Sequence, residues 1–177
     1  MEIIFGNKLV EKYIDDLLVL EEIYHPNLQE SANEKKELYT KEGSLMILAL
    51  EKGHVVGECS GLPVEKITEK DLIEKIPDYE GYCRKGSIYI HSFTALPDSG
   101  IFGVGKNLAL SFIQHAKDEG YNYIIGHARQ GVAKHVNSLS DARIIKKFEN
   151  WYDTKEDYYF SELALQQNTI PLNLNKV

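Results

Sequence analysis

A strand, a glycine-punctuated turn and an amphipathic helix follow one another between Ser87 and Gly120, and this stretch constrains the fold more than any other. Tyr89, His91 and Phe93 alternate with Ile88, Ile90 and Ser92 from Ser87 to Ala95, the period of a strand with two distinct faces. After the turn, Val104, Leu108, Phe112 and Ala116, with Ala109 and Ile113 beside them, form the stripe of a buried helix face. Gly120 stands where such a helix ends. Tyr121 to Ala128 returns as a strand, so the unit predicts a right-handed crossover between parallel strands. Gly100, Gly103 and Gly105 fall between strand and helix, where backbone N–H groups and the positive end of a helix dipole can meet an anion.

The rest of the chain reads as mixed α and β. Glu2 to Phe5 is a short first strand, and Lys8 to Tyr24 is one amphipathic helix stopped by His25 and Pro26. Leu28 to Thr40 predicts a second, more charged helix. Ser44 to Leu50 and His54 to Ser60 predict an antiparallel hairpin across Glu51, Lys52 and Gly53. Leu62 to Gly86 is an insertion or substrate loop around a short helix, Glu69 to Ile76. Ser138 with Asp141 resembles a capping box, predicting a helix to about Asn150 on which Leu139, Ala142, Ile145 and Phe148 are spaced for packing. Trp151-Tyr152 and Tyr158 to Leu165 are expected as two closing strands. One domain is expected over residues 1–165, with a loosely held tail over 166–177.

A net charge of −7 disfavours a nucleic acid partner and suits a cationic substrate. Cys59 and Cys83 lack metal-ligand or CxxC spacing and read as buried thiols, with no metal site expected. No apolar run approaches the ~18 residues of a membrane span, and the first residues do not resemble a secretory leader, so a cytoplasmic location away from membranes is expected.

The turn Gly100-Ile101-Phe102-Gly103-Val104-Gly105-Lys106 satisfies the GxxxxGK of a P-loop through Gly100, Gly105 and Lys106. However, Asn107 replaces the Ser or Thr that ligates Mg²⁺, and the next strand ends in Gly126-His127 rather than an acid. Both metal-holding parts are missing. The order of elements and the sequence from Gly100 to Gly105 instead resemble the GNAT superfamily of N-acetyltransferases, over about residues 3 to 165. The family signature is Q/R-x-x-G-x-G/A, and this chain departs from it in having glycine at the first position, Gly100.

The resemblance implies an α/β (α+β mixed) fold: a central mixed, mostly antiparallel sheet flanked by helices, with a parallel strand pair at the cofactor site. It implies acetyl-CoA as co-substrate. The pyrophosphate would lie on the backbone of Gly100, Ile101, Phe102, Gly103, Val104, Gly105 and Lys106, and the pantetheine arm along Thr94, Ala95 and Leu96. The expected acceptor is a primary amine, on a small cation or a protein, attacking the thioester directly in a ternary complex. A homodimer is compatible with this reading, as is a module that binds acyl-CoA without catalysis.

A lysine-like ammonium, with a pKa of about 10.4, must lose a proton before it can attack. His91, on the strand that borders the thioester, can take that proton directly or through water. It can equally be a hydrogen-bonded histidine of a sheet face. Glu58 is a second candidate base, although an exposed carboxylate is the simpler expectation, and His127 and His135 can line the acceptor pocket. A backbone N–H at Ala95 or Leu96 would face the oxyanion. The family's helix tyrosine, proton donor to the leaving thiolate, is replaced here by Lys146, which leaves Tyr152, Tyr158 and Tyr159 as substitutes. Cys59 has no neighbour that would activate it as a nucleophile.

Overall fold

The computed structural model describes residues 1–67, 85–97, 100–139 and 141–165, with the side chains of 135–139 outside the description. The predicted helix at Glu69 to Ile76 and the tail 166–177 lie outside the described residues. Seven strands form one sheet: β1 (Glu2–Phe5), β2 (Leu45–Glu51), β3 (His54–Pro63), β4 (Ser87–Ala95), β5 (Tyr123–Arg129), β6 (Arg143–Phe148) and β7 (Tyr158–Ala164). Their order is β1-β2-β3-β4-β5-β7-β6, and every neighbouring pair is antiparallel except β4 and β5. The mixed, mostly antiparallel sheet with one parallel pair is as expected from the sequence.

Two layers of helix cover the sheet. On one face lies α4 (Val104–Asp118), whose Leu108, Phe112 and Ala116 are buried against Ile47, Cys59, Ile88 and Ile124. Glycines on β3 let it sit close: a Cβ at Gly57 would meet Leu108 at 2.8 Å and Val104 at 2.9 Å, and one at Gly61 would meet Phe112 at 2.8 Å. A Schellman turn ends the helix, with the Tyr121 N–H donating to the Ala116 carbonyl and Gly120 at φ +84°. α5 (Gln130–Leu139) packs against β5 and β7.

On the other face lie α1 (Leu9–Lys12), α2 (Ile14–Glu21) and α3 (Ala32–Tyr39). The predicted single first helix is broken at Tyr13, which leaves the helical basin (φ −116°, ψ 21°). The break lets Val10 on one side and Leu17 and Leu20 on the other all reach the core. α3 begins later than predicted. Pro26–Leu28 forms a 3-10 turn, Gln29 is extended, and a Ser31–Glu34 capping box starts the helix at Ala32.

Three sequence expectations are corrected. The segment expected as a helix from Ser138 to Asn150 contains β6, paired with β7 from Arg143↔Glu162 to Phe148↔Tyr158. A bulge between Ile144 and Lys146 breaks the two-residue period there, so the apolar spacing of Ala142, Ile145 and Phe148 imitates a helix. Trp151-Tyr152 is no strand but part of a 3-10 turn, Trp151–Asp153. Phe93 does not share a face with Tyr89 and His91. Ser60 pairs with Ser92 and Gly61 with Ile90, so His91 is an extra residue in β4, and Phe93 turns to the α4 side.

Candidate active site

The bulge at His91 makes the site. β4 and β5 are paired from Ser87↔Tyr123 only to Ile90↔Gly126, after which β4 stays with β3 as far as Ala95 and β5 stays with β7 as far as Arg129. The two parallel strands therefore part beyond Ile90. A cleft of about 560 Å³ runs through the gap, lined on the α4 side by Phe93, Ala109, Ile113 and Ala133, and on the α2 and α3 side by Glu21, Tyr24, Glu30 and His91.

The parted edge of β4 offers backbone donors. Leu96 gives its N–H to the Val56 carbonyl across β3 (2.9 Å), while Phe93 gives its N–H to the Tyr24 hydroxyl (3.2 Å) on the opposite edge. Strand alternation puts the Ala95 N–H on the same edge as that of Phe93, facing the gap. Of the two expected oxyanion donors, Leu96 is taken up by the sheet and Ala95 is the one so directed.

Thr94 and Ala95 end β4, Leu96 follows it, and the glycine turn leads from there into α4. Gly100 (φ +67°) and Gly103 (φ +84°) adopt left-handed conformations that other residues enter at a cost. Gly103 is the N-cap of α4, and no side chain caps the helix there, so the first-turn N–H groups of Val104, Gly105 and Lys106 have no side-chain acceptor from the cap. A Cβ at Gly105 would meet nothing closer than Phe93 at 3.9 Å. The protein's own packing does not require that glycine, and the backbone there is open to approach. Ile101 packs against the core below, and Phe102 is fully exposed beside the turn.

On the other face, His91 Nε2 is hydrogen-bonded to Glu30 Oε1. Glu30 belongs to a buried charge cluster that the sequence reading missed. The Lys35 ammonium, with no exposure, lies 2.8 Å from Glu21, 3.1 Å from Glu58 and 3.8 Å from Glu30. Glu58 is not the exposed carboxylate expected. It is fully buried, bound by Lys35 and by the Ser60 hydroxyl (2.8 Å). Burial alone would lower the affinity of Lys35 for its proton, but Glu58, Glu21 and Glu30 outweigh it and hold the ammonium above the ordinary lysine range. Burial pushes the Glu21 carboxyl up, against the opposing pull of Lys35. Three carboxylates thus share one ammonium, with His91 at the cluster's open edge.

Tyr24, also unforeseen, points its hydroxyl at the parted edge of β4, 3.2 Å from the Ser92 hydroxyl, and burial pushes its phenol up to about 12. His127 reaches the Tyr89 hydroxyl through Nδ1 (3.1 Å) and stacks on Trp151 with ring centres 4.4 Å apart. Trp151 stacks in turn near Tyr158 (5.8 Å). Tyr158 lines the cleft and burial raises its phenol, so it stays protonated at neutral pH. Tyr152 does not line the cleft. It sits in a turn where Asn150, Tyr152, Asp153 and Lys155 all have positive φ, tied across the mouth by the Asn27 amide donating to the Tyr152 carbonyl (3.0 Å). Cys59 is buried and its thiol is pushed well up, which removes it as a nucleophile. Lys146 is on β6, not on a helix, and the His135 side chain lies outside the described residues. Among the described residues no three His, Cys, Asp or Glu side chains gather as a metal site, and no helix is long and apolar enough to cross a membrane.

The fold is shared with solved N-acetyltransferases, among them one described as a putative acetyltransferase of the GNAT family (TM-score 0.58, 12% identity, covering 93% of this chain and 100% of that one). The chain matches an aminoglycoside 6'-acetyltransferase type Ii with a TM-score of 0.68 and 14% identity, covering 94% of this chain and 98% of that one. It matches the ribosomal-protein-S18-alanine N-acetyltransferase of Escherichia coli with a TM-score of 0.67 and 12% identity, covering 99% and 100%. An aminoglycoside 6'-N-acetyltransferase solved with coenzyme A matches with a TM-score of 0.63 and 14% identity, covering 94% and 98%. No family model and no curated protein matches the sequence.

Proposed function

We propose that the protein is an acetyl-CoA dependent N-acetyltransferase acting on a primary, cationic amine. The observation that carries this reading is the parting of β4 and β5 at the His91 bulge, which opens one cleft across the sheet between a backbone anion cradle and a histidine–carboxylate pair. The residues suit the cofactor. The N–H groups at the start of α4 face a pyrophosphate, the open glycine positions admit it, and the unpaired edge of β4 suits the amide groups of a pantetheine arm.

Bound acetyl-CoA supplies an activated acetyl group, so that a C–N bond forms as the C–S bond breaks. The chain's own residues manage the charges. His91 takes the proton that the acceptor ammonium must lose, and the carboxylates of Glu21 and Glu30 give the cleft wall a sign that favours a cation. The Ala95 N–H is directed where a developing oxyanion needs a donor. Tyr158 lines the cleft with a hydroxyl that is protonated at neutral pH and can give its proton to the departing thiolate.

The test is thiol release from acetyl-CoA across a panel of primary amines, set beside coenzyme A binding by calorimetry. Saturable thiol release with at least one cationic amine is expected. Tight binding with no release for any amine would make the chain an acyl-CoA binding module instead, and absence of binding would remove the whole reading.

A further inference from the structure

We propose that Glu30 is a positioning residue for His91 and that the buried Lys35 is the anchor that holds Glu30 in place. The proposal rests on the reading of His91 as the base. Glu30 directly precedes the capping box of α3, and a different element grips its N–H and each of its two carboxylate oxygens. Its N–H donates to Glu21 Oε2 on α2 (2.9 Å), its Oε1 meets His91 Nε2 on β4, and its Oε2 lies 3.8 Å from Lys35 Nζ on α3. Lys35 is fixed in turn. Glu21 and Glu58 bind its ammonium, and Glu58 receives the Ser60 hydroxyl, which lies 2.6 Å from the Tyr39 hydroxyl.

The titratable groups around the pair come from every side. Glu21 and Tyr24 face it from α2 and the turn after it, Lys35 and Tyr39 from α3, and Glu58 from β3. On β4 the Tyr89 ring is 6.4 Å from that of His91, and His127 on β5 reaches the Tyr89 hydroxyl.

An ionised carboxylate can only accept, so the hydrogen between the two residues belongs to Nε2 and the lone pair of the neutral ring to Nδ1. Nδ1 is then the atom that takes the proton from the acceptor, and the imidazolium so formed keeps its Nε2–H on Glu30. Lys35 does not line the cleft, whereas Glu21 and Glu30 do, so it acts only through them. By drawing Oε2 inward it leaves Oε1 for His91 and fixes the ring's tautomer. A histidine without that partner could exchange its two tautomers and present the wrong nitrogen.

The test reads tautomers directly, by long-range ¹⁵N–¹H correlation of the His91 ring at alkaline pH where imidazole is neutral. The intact chain is expected to show His91 almost wholly as the Nε2–H form. Glu30→Gln, at a partly exposed position, is expected to give a mixture, and to lower kcat by about tenfold or more while the KM for acetyl-CoA stays within about twofold. The double variant Lys35→Met with Glu58→Gln, which removes opposite buried charges together, is expected to mix the His91 tautomers while leaving those of His127 unchanged. An Nδ1–H form in the intact chain, or an unchanged ratio in Glu30→Gln, would overturn the positioning role. An unchanged ratio in the double variant would overturn the anchor. If the tautomers respond as expected and no amine is acetylated, the assigned reaction fails and the pairing stands.

Discussion

The two halves of the cleft are built from different materials. The α4 half is made of backbone: an unpaired strand edge, two glycines at positive φ and the uncapped first turn of a helix, all drawn from residues 91–106. The α2 and α3 half is made of side chains from five separate segments, in which Glu21, Glu30, Lys35, Glu58 and His91 share one buried network. A backbone cradle recognises a group common to many reactions and tolerates changes of side chain around it. A side-chain network fixes one geometry, and it is costly to disturb because each buried charge depends on the others.

This contrast can be broken at either side. Replacing His91 with Ala has the largest expected effect, a fall of about 10² to 10⁴ in acetyl transfer, the range of general base catalysis. Coenzyme A binding, measured by calorimetry, should be unchanged, because the His91 side chain lies on the α2 and α3 side and the cradle on the α4 side uses none of its atoms. Lys35→Met is expected next, costing ~3–5 kcal/mol of folding stability through the carboxylates it leaves unpaired in the interior. Lys106→Met, in the cradle, should stay within about 0.5 kcal/mol in the same urea denaturation experiment.

In the backbone half, Gly103→Val forces a β-branched residue to φ +84°, a strain of ~1–3 kcal/mol. It should raise the KM for acetyl-CoA by about tenfold with little change in kcat, as steady-state kinetics at saturating amine would show. The smallest expected effect separates Tyr158 from Tyr152, two of the three tyrosines named from the sequence. Tyr158→Phe, in the cleft wall, should lower kcat by about tenfold, and Tyr152→Phe, outside it, should leave kcat unchanged. Equal effects would mean that the acid lies elsewhere, with Tyr24 the next hydroxyl at the gap.

The same contrast explains what the sequence made legible. The glycine turn and the helix stripe from Val104 to Ala116 are local, and their periods and positive-φ glycines can be read from consecutive residues. The charge cluster joins residues up to 61 positions apart, as in the pair Glu30 and His91, and nothing local marks Glu58 as buried. Bulges hid the rest. One extra residue at His91 reversed the faces of β4 from Ser92 onward, and another at Ile145 gave β6 the apolar spacing of a helix. The chemistry of His91 and its strand are legible in the sequence, whereas the bulge at which the strands part lies in the pairing with β3, which no periodicity contains.

Coenzyme A is proposed to enter the gap between β4 and β5 and to rest on the turn at its end, and amide chemical shifts test this most directly. On titration with coenzyme A, the N–H signals of Ala95 and of Gly103 to Lys106 should shift together and saturate, while those of Lys35 and Glu58 stay in place. Saturable binding that leaves those cradle signals unmoved, or that moves another face of the sheet instead, would contradict the account.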